Sequence, residues 1–208
     1  MIKLYFGLPG SGKTTMLAYL AKKNRKKYKN IYANVPLAMK GITYIDNDCI
    51  GKYDLSNSLL LIDEAVIFAD SRRYKEFDKG KLSFFMMHRH YKCDIILFSQ
   101  QWDGVDRKIR CITDRVYYIY KTRILGKFFT YSYRIPYDII IPPRDGDGEK
   151  LGEIVQGYIE PPWYVKLFKK RIFRPFYYKY FDSFICEPLP KLPDKYKKYS
   201  WNIFIFII

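Results

Sequence analysis

IKLYFGLPGSGKTT, residues 2–15, sets the architecture of the chain. Its first part, Ile2 to Phe6, is a short apolar run with β-branched and aromatic members, which is typical of a strand. The rest fits the pattern G-x-x-x-x-G-K-[ST], and the apolar spacing that follows predicts a helix over residues 12–27. A strand, this loop and a helix form the P-loop that binds nucleoside triphosphates. The stretch therefore predicts a three-layer α/β fold with a mainly parallel sheet.

The residue types in the loop each have a chemical reason. Glycine lets the backbone curl so that successive N–H groups point into one concavity, and the helix N-terminus adds partial positive charge. We expect Lys13 to reach the β- and γ-phosphates of ATP and the Thr14 hydroxyl to bind Mg²⁺. The candidate nucleotide-binding residues are Gly7, Pro9, Gly10, Ser11, Gly12, Lys13, Thr14 and Thr15.

A second apolar run ends in two carboxylates. Leu59 to Ile62 are four apolar residues in succession, which favours a strand buried on both faces of a parallel sheet. Asp63 and Glu64 follow, at the carboxyl end of the strand, where open α/β sheets bind their ligands. We expect Asp63 to hold Mg²⁺ through water, and Glu64 to polarise the water that attacks the γ-phosphate. The alternative is a buried strand that ends in a charged turn.

Two further segments offer groups that could act on a γ-phosphate. The apolar run from Asp94 to Ser99 predicts another buried strand, so Gln100 would lie in the same plane as Asp63 and sense the nucleotide. The next segment, residues 102–112, predicts a short helix on which Arg107 and Arg110 share a face. In a ring of subunits such arginines can reach a neighbour's γ-phosphate, and a surface salt-bridging face is the alternative.

The last part of the chain changes in composition. Alternating residues over 115–122 and 127–135 predict a β-hairpin beside the sheet, and a division follows between an ATPase domain, 1–160, and a C-terminal segment, 161–208. Residues 163–199 hold ten Lys and Arg against three Asp and Glu, interleaved with aromatic residues. Three interpretations stay open: the segment binds an anionic membrane surface, grips nucleic acid such as single-stranded DNA, or packs on the core.

Composition narrows the cellular context. A net charge of +16 over 208 residues indicates an acidic partner, nucleic acid or an anionic membrane, although solubility and codon bias explain it equally well. The four widely spaced cysteines form neither a disulfide framework nor a zinc pattern, which fits a reducing cytosol. The sequence runs straight into the first strand, so we expect no signal peptide. No window reaches the roughly 18 to 20 apolar residues of a membrane span.

The order of these motifs resembles that of the zonula occludens toxin (Zot)-like family, which includes the gene I assembly protein of filamentous bacteriophages. The resemblance covers roughly residues 1–135 and rests on Gly7–Thr14, Leu59–Ala65, His88–His90, Ile95–Gln100 and Ile109–Arg110. It implies a P-loop ATPase of the RecA/HerA-FtsK type, with the roles given above for Lys13, Thr14, Asp63, Glu64 and Gln100. Family members usually carry a membrane-spanning helix after the ATPase domain, whereas this sequence shows none.

The resemblance implies a function in phage assembly and export, in the host cytoplasm at the inner face of the membrane. The expected partners are further copies of the chain in a ring, and phage coat and assembly proteins. The rival functions are a DNA-packaging or translocating ATPase without a membrane role, a small-molecule kinase, and a non-enzymatic interaction module locked by nucleotide. Glu64 argues against the kinase, because a kinase transfers phosphate to a substrate rather than to water.

Overall fold

Eight strands form one sheet across the part of the chain that the computed structural model describes, residues 1–65, 79–102, 104–135 and 168–182. The strands are β1 (Ile2–Phe6), β2 (Asn30–Ala33), β3 (Thr43–Tyr44), β4 (Ser58–Ile62), β5 (Asp94–Ser99), β6 (Arg115–Tyr120), β7 (Phe129–Ile135) and β8 (Lys170–Phe173). The helices are α1 (Lys13–Asn24), α2 (Lys79–Met87), α3 (Arg107–Cys111) and α4 (Pro175–Tyr178), and Asn47–Cys49 forms a 3₁₀ turn.

The strand order across the sheet is β3-β2-β4-β5-β1-β6-β7-β8. Neighbouring strands from β3 to β6 pair in parallel, while β7 pairs antiparallel with both β6 and β8. Strand β5 therefore lies between β1, which leads into the P-loop, and β4, which leads into Asp63. Because parallel strands end at the same edge, this order brings the loops after β1, β4 and β5 side by side.

Apolar residues cover both faces of the sheet, which makes the fold three layers thick. Met16 and Leu17 of α1 pack on one face, and Phe85 of α2 and Ile109 of α3 pack on the other. All five residues of β4 are buried, as a central parallel strand requires. The prediction of a three-layer α/β fold with a mainly parallel sheet is confirmed.

The antiparallel side of the sheet contains part of the basic C-terminal segment. Strands β6 and β7 are the predicted hairpin, and β8 extends it with residues from the basic segment. Ile172 of β8 is buried in the core on the α1 face, so residues 168–182 pack on the core. The boundary at residue 160 and the rest of the basic segment stay predictions, because residues 136–167 and 183–208 lie outside the described ranges.

The remaining predicted elements match the structure within a few residues. The helix predicted to begin at residue 12 is α1, and that predicted over residues 102–112 is the shorter α3. The charged and then apolar residues 72–90 also predict a helix, and the structure shows α2 within them, while residues 72–78 lie outside the described ranges. Within residues 1–65, 79–102, 104–135 and 168–182, no helix has the length and apolar content needed to cross a bilayer.

Candidate functional site: the P-loop and the acidic strand end

The P-loop turns sharply between β1 and α1. Gly10 and Gly12 have φ angles of 70° and 98°, a region that favours glycine, and the Ser11 amide donates to the Leu8 carbonyl at 3.1 Å. The helical bonding begins with the Met16 amide, which donates to the Gly12 carbonyl at 2.9 Å. The earlier amides at the start of α1 have no partner within a helix, so they are available to an anion.

Lys13 lies across the loop that it follows. Its ammonium group donates to the carbonyls of Gly7 at 3.0 Å and Leu8 at 3.3 Å. Burial lowers the pKa of Lys13, while the nearby charges of Asp63 and Glu64 act to raise it. The lysine and the two acids thus belong to one site rather than to separate surfaces.

Thr14 and Asp63 are in direct contact at the carboxyl end of the parallel strands. The Thr14 hydroxyl donates to Asp63 Oδ2 at 3.1 Å, which joins the first turn of α1 to the end of β4. The Asp63 side chain is buried, and this burial raises its pKa, against which hydrogen bonds from the Glu64 amide and Thr14 act. A buried carboxylate with neutral donors as its direct partners has a strong attraction for a cation.

Glu64 adopts an unusual backbone conformation. Its φ angle is 51°, in the left-handed region that costs a non-glycine residue about 1–3 kcal/mol. The Glu64 amide donates to Asp63 Oδ1 at 3.0 Å, and the Glu64 side chain is exposed. The turn therefore buries one carboxylate and leaves the next one open to solvent, which is the arrangement that a water-orienting acid needs.

Asn34 holds this turn in place, and sequence reasoning missed it. Its side-chain oxygen accepts from the Asp63 amide at 2.7 Å, and its side-chain nitrogen donates to the Asp63 carbonyl at 2.9 Å. The same nitrogen donates to Asn47 at 3.0 Å. Asn34 directly follows β2, which pairs with β4. The rule that singled out Gln100, a polar residue after a parallel strand, would also have found Asn34.

Gln100 directly follows β5, between the P-loop strand and the Asp63 strand. The Gly7 amide donates to the carbonyl of Ser99 at 3.2 Å, so the entrance of the P-loop is bonded to the end of β5. The Gln100 side chain is exposed. Its place in the strand order agrees with the position that a γ-phosphate sensor would take, and the sensor role stays a prediction.

Arg107 and Arg110 lie on α3, on the face of the sheet opposite α1. The Arg110 guanidinium lies 5.4 Å from the centre of the Trp102 ring, and Trp102 packs beside Phe6 at the end of β1. Arg107 is exposed at the first turn of α3. The structure does not bring either arginine to the P-loop through a described contact, so a role towards a neighbouring subunit stays a prediction.

The antiparallel side of the sheet closes the back of the P-loop, which the sequence did not indicate. The Thr130 hydroxyl of β7 donates to the Ser11 carbonyl. A methyl group on Gly12 would lie 3.5 Å from Nε of Arg174, and one on Gly10 would lie 3.3 Å from the Lys121 ammonium. Arg174 is itself anchored by a bond to the Gly126 carbonyl at 2.7 Å. Cations from the residues that follow β6 and β8 thus border the loop.

The donor set at the strand end fits a hard divalent cation. Mg²⁺ prefers oxygen ligands at ~2.1 Å in octahedral geometry, so that adjacent ligands lie ~3 Å apart. Thr14 Oγ1 and Asp63 Oδ2 are joined by a hydrogen bond of 3.1 Å, so Thr14 would coordinate the ion and Asp63 would hold it through a bound water. Among the described residues no cluster of three or more His, Cys, Asp and Glu could hold a metal alone, so the remaining ligands would come from phosphate and water.

The fold is similar to that of two solved structures. The N-terminal domain of zonular occludens toxin from Neisseria meningitidis matches with a TM-score of 0.55 and 16% identity, covering 87% of this chain and 98% of that one. The genome packaging NTPase B204 from Sulfolobus turreted icosahedral virus 2, in complex with ATP-gammaS, gives a TM-score of 0.49 at 13% identity, covering 64% and 91%.

Sequence comparison gives the family. A search of curated proteins finds no match to this chain. The family model described as Zonular occludens toxin (Zot) matches residues 19–159, which is more than half of the chain. The match confirms the resemblance drawn from the motifs, and the chain belongs to the Zot family.

Proposed function

We propose that this chain hydrolyses ATP and is the motor that assembles and exports a filamentous phage particle at the host membrane. The observation that carries hydrolysis is the Thr14–Asp63 contact at 3.1 Å, with Lys13 and Glu64 beside it. These are the groups that ATP hydrolysis needs: amides and a lysine for the phosphates, oxygen ligands for Mg²⁺ and an acid for water.

Each residue has a distinct task in this proposal. The amides of the P-loop and the start of α1 bind the β- and γ-phosphates, and Lys13 exchanges its bonds to Gly7 and Leu8 for a phosphate oxygen. Thr14 and Asp63 hold Mg²⁺, which neutralises charge that develops on the phosphates. Glu64 accepts a hydrogen bond from the attacking water and orients it in line with the γ-phosphate.

The test of this mechanism is Glu64→Gln, which keeps the size of the side chain and removes its basicity. We expect turnover to fall by about 10²- to 10⁴-fold, because a general base contributes that much. Binding of a fluorescent ATP analogue should stay unchanged, since Glu64 lies outside the phosphate-binding loop. Phosphate release in single-turnover conditions measures the first quantity and fluorescence titration the second. Normal turnover in the variant would contradict the role given to Glu64.

The ring assembly rests on the two arginines of α3. We propose that Arg107 or Arg110 acts on ATP bound to the neighbouring copy, as such arginines do in other ring NTPases. Whichever variant removes the acting arginine, Arg107→Ala or Arg110→Ala, should then be inactive alone and regain turnover when mixed with Glu64→Gln subunits. Activity returns because some interfaces combine an intact arginine with an intact glutamate. Mixtures that stay inactive at all ratios would exclude a role between subunits.

The phage and membrane part of the proposal rests on the family. Membership of the Zot family and the resemblance to filamentous phage assembly proteins support an export motor at the inner face of the host membrane, with phage coat and assembly proteins as partners. The second candidate is a motor that packages or translocates DNA without a membrane role, which the lysines and aromatic rings of α1, β8 and α4 favour. Strong stimulation of turnover by DNA in detergent-free solution would support the second candidate.

A further inference from the structure

The strand and helix at the end of the described chain form a concave surface against α1. Ile172 anchors β8 in the core, and the rings of Tyr19 and Tyr177 meet edge to face with centroids 6.0 Å apart. A cavity of about 220 Å³ opens between these elements. Its lining is Tyr19, Lys170, Arg171, Ile172, Phe173, Phe176 and Tyr177. We call this cavity, with the adjoining Lys22 and Lys179, the basic aromatic surface.

The cations of this surface lie over aromatic rings. The Lys22 ammonium is 4.2 Å from the centre of Phe176, and the Lys170 ammonium is 5.2 Å from the centre of Tyr19. The Lys179 ammonium lies 5.5 Å from the centre of Phe176. An aromatic ring attracts a cation without cancelling its charge. The cations therefore still attract an anionic ligand. A carboxylate partner in place of the ring would neutralise their charge and weaken that attraction.

The elements that build this surface carry no acidic residue to offset its positive charge. None of α1, β8 and α4 contains an Asp or a Glu, so every charged side chain of these three elements is positive, and the nearest acid in the segment is Asp182. Like charges at close range repel each other and cost folding free energy. A polyanion that binds across the surface removes that repulsion and releases counterions.

The aromatic rings decide which polyanion fits. Phe173 and Phe176 are exposed at 47% and 51%, and both line the cavity. Unpaired bases stack on exposed rings between phosphates held by Lys and Arg, whereas a duplex hides its base faces. A bilayer surface is less suited, because it takes up rings that protrude, whereas Phe173 and Phe176 are only about half exposed and line a concave surface.

We propose that the basic aromatic surface binds single-stranded nucleic acid, with a base stacked on Phe173 and its phosphates on Lys170 and Arg171. The site goes beyond the proposed function, because binding there needs neither ATP nor Glu64. It is nevertheless built on the P-loop helix, since α1 supplies Tyr19 and Lys22. A bound strand would therefore contact the same helix whose first turn holds the triphosphate.

The test measures binding of a labelled dT oligonucleotide of about 15 nucleotides to the full chain without nucleotide, by fluorescence anisotropy. The double variant Lys170→Gln/Arg171→Gln removes two cations from the surface. The matched control, Lys40→Gln/Lys52→Gln, removes two exposed cations elsewhere. We expect at least tenfold weaker binding for the first pair and less than twofold for the control. The dependence on salt should flatten by about 0.7 per lost phosphate contact.

Stacking is tested separately with Phe173→Leu, which keeps apolar volume and charge. We expect about tenfold weaker binding of the single strand and little change for a duplex of the same sequence. The rU oligonucleotide is compared with dT, and the tighter of the two shows whether the surface prefers RNA or DNA. Thermal unfolding checks that each variant is folded.

Three outcomes would overturn the proposal. The first is an equal loss of dT binding in the surface variant and in its matched control, which would show only the effect of net charge. The second is unchanged binding in Phe173→Leu with duplex bound as tightly as the single strand. The third is binding to vesicles of phosphatidylglycerol and phosphatidylcholine in equal parts, but not to dT or rU, which would assign the surface to a membrane.

Discussion

The parallel strands of the sheet begin at one side, which we call the amino edge, and end at the other, the carboxyl edge. Carboxylates at these two edges have different hydrogen-bond partners. At the amino edge, Asp94 accepts from the N-terminal ammonium of Met1 at 2.7 Å and from the Tyr28 hydroxyl. Beside it, Asp114 accepts from Arg89 at 2.8 Å and from the Ile2 amide at 2.6 Å. At the carboxyl edge, Asp63 accepts from neutral donors, the Thr14 hydroxyl and the Glu64 amide.

These different partners move the pKa values of Asp94 and Asp63 in opposite directions. Burial acts to raise the pKa of Asp94, but the N-terminal ammonium and Tyr28 outweigh it and the net pKa lies below the ordinary value. Burial of Asp63 raises its pKa, and its hydrogen bonds only partly oppose this. Asp94 and Asp114 at the amino edge thus stabilise the fold through ion pairs and hydrogen bonds. Asp63 at the carboxyl edge has no cation as a direct partner and is left to bind a ligand. The difference separates a stabilising role from a binding role for the same residue type.

Glycine substitution at the two edges should give the largest contrast. Gly12 at the carboxyl edge and Gly41 before β3 at the amino edge have φ angles of 98° and 82°. A methyl group on Gly12 would overlap Thr130 Oγ1 and lie 2.9 Å from Thr130 Cβ, whereas one on Gly41 would meet its nearest atom, in Arg25, at 3.9 Å.

We expect Gly41→Ala to lower the free energy of unfolding by ~1 kcal/mol, from backbone strain alone. Gly12→Ala should cost ~3 kcal/mol or more, because overpacking adds to the same strain. Urea denaturation of both variants measures the two losses. Equal losses would show that Thr130 does not constrain the P-loop.

Neutralising each acid should change stability with opposite signs. At neutral pH the Asp63 carboxylate is buried without a cation as a direct partner, so Asp63→Asn should raise the free energy of unfolding by ~1 kcal/mol without ligand. Asp94→Asn should lower it by ~1 kcal/mol, because the amide no longer pairs with the N-terminal ammonium. Urea denaturation without ligand compares the two, and a destabilised Asp63→Asn would contradict the assignment of Asp63 as a binding residue.

Asp63→Asn and Asp94→Asn should also differ in how much an added ligand raises the free energy of unfolding. Mg²⁺ and a non-hydrolysable ATP analogue at about one hundred times Kd stabilise a folded protein by ~2.7 kcal/mol. Asp94→Asn should keep that gain in full. Asp63→Asn should lose the part that depends on Mg²⁺, which omission of Mg²⁺ from a parallel titration measures. An unchanged gain in Asp63→Asn would mean that the metal binds elsewhere.

The carboxyl edge could be predicted from sequence because its residues follow local rules. The P-loop is a contiguous motif, and Asp63 and Gln100 each follow an apolar run that is typical of a buried parallel strand. One rule about strand ends is then enough to bring the three segments together. The same rule, applied to every strand, would also have found Asn34.

The amino edge and the back of the P-loop could not be predicted, because their partners are distant in sequence. Thr130 bonds to the carbonyl of Ser11 across 119 positions, and nothing in β7 marks that threonine. The sequence allows Arg89 to face either the phosphates or the helix end, and the structure places it on Asp114, at the edge opposite the P-loop. Partners of this kind are set by strand order, which local patterns do not determine.

A smaller contrast exists between two histidines near the amino edge. His88 follows α2 and is only 3% exposed, with Nδ1 within 2.7 Å of the Phe85 carbonyl. Its Nε2 is buried and has no hydrogen-bond partner among the described residues. Burial lowers the pKa of His88, and the Phe85 carbonyl acts against this. His90, two residues later, is exposed and so provides a matched control.

This lowered pKa predicts a loss of stability on acidification. Below about pH 6.5 the unfolded chain protonates the histidine while the folded chain resists it, so the unfolded state binds more protons. The free energy of unfolding should then fall by at most ~1.4 kcal/mol per pH unit from this group. His88→Gln should flatten the slope of unfolding free energy between about pH 7.5 and pH 5, whereas His90→Gln should follow the unmodified chain. Parallel slopes for all three proteins would mean that His88 is protonated as readily in the folded state as in the unfolded one.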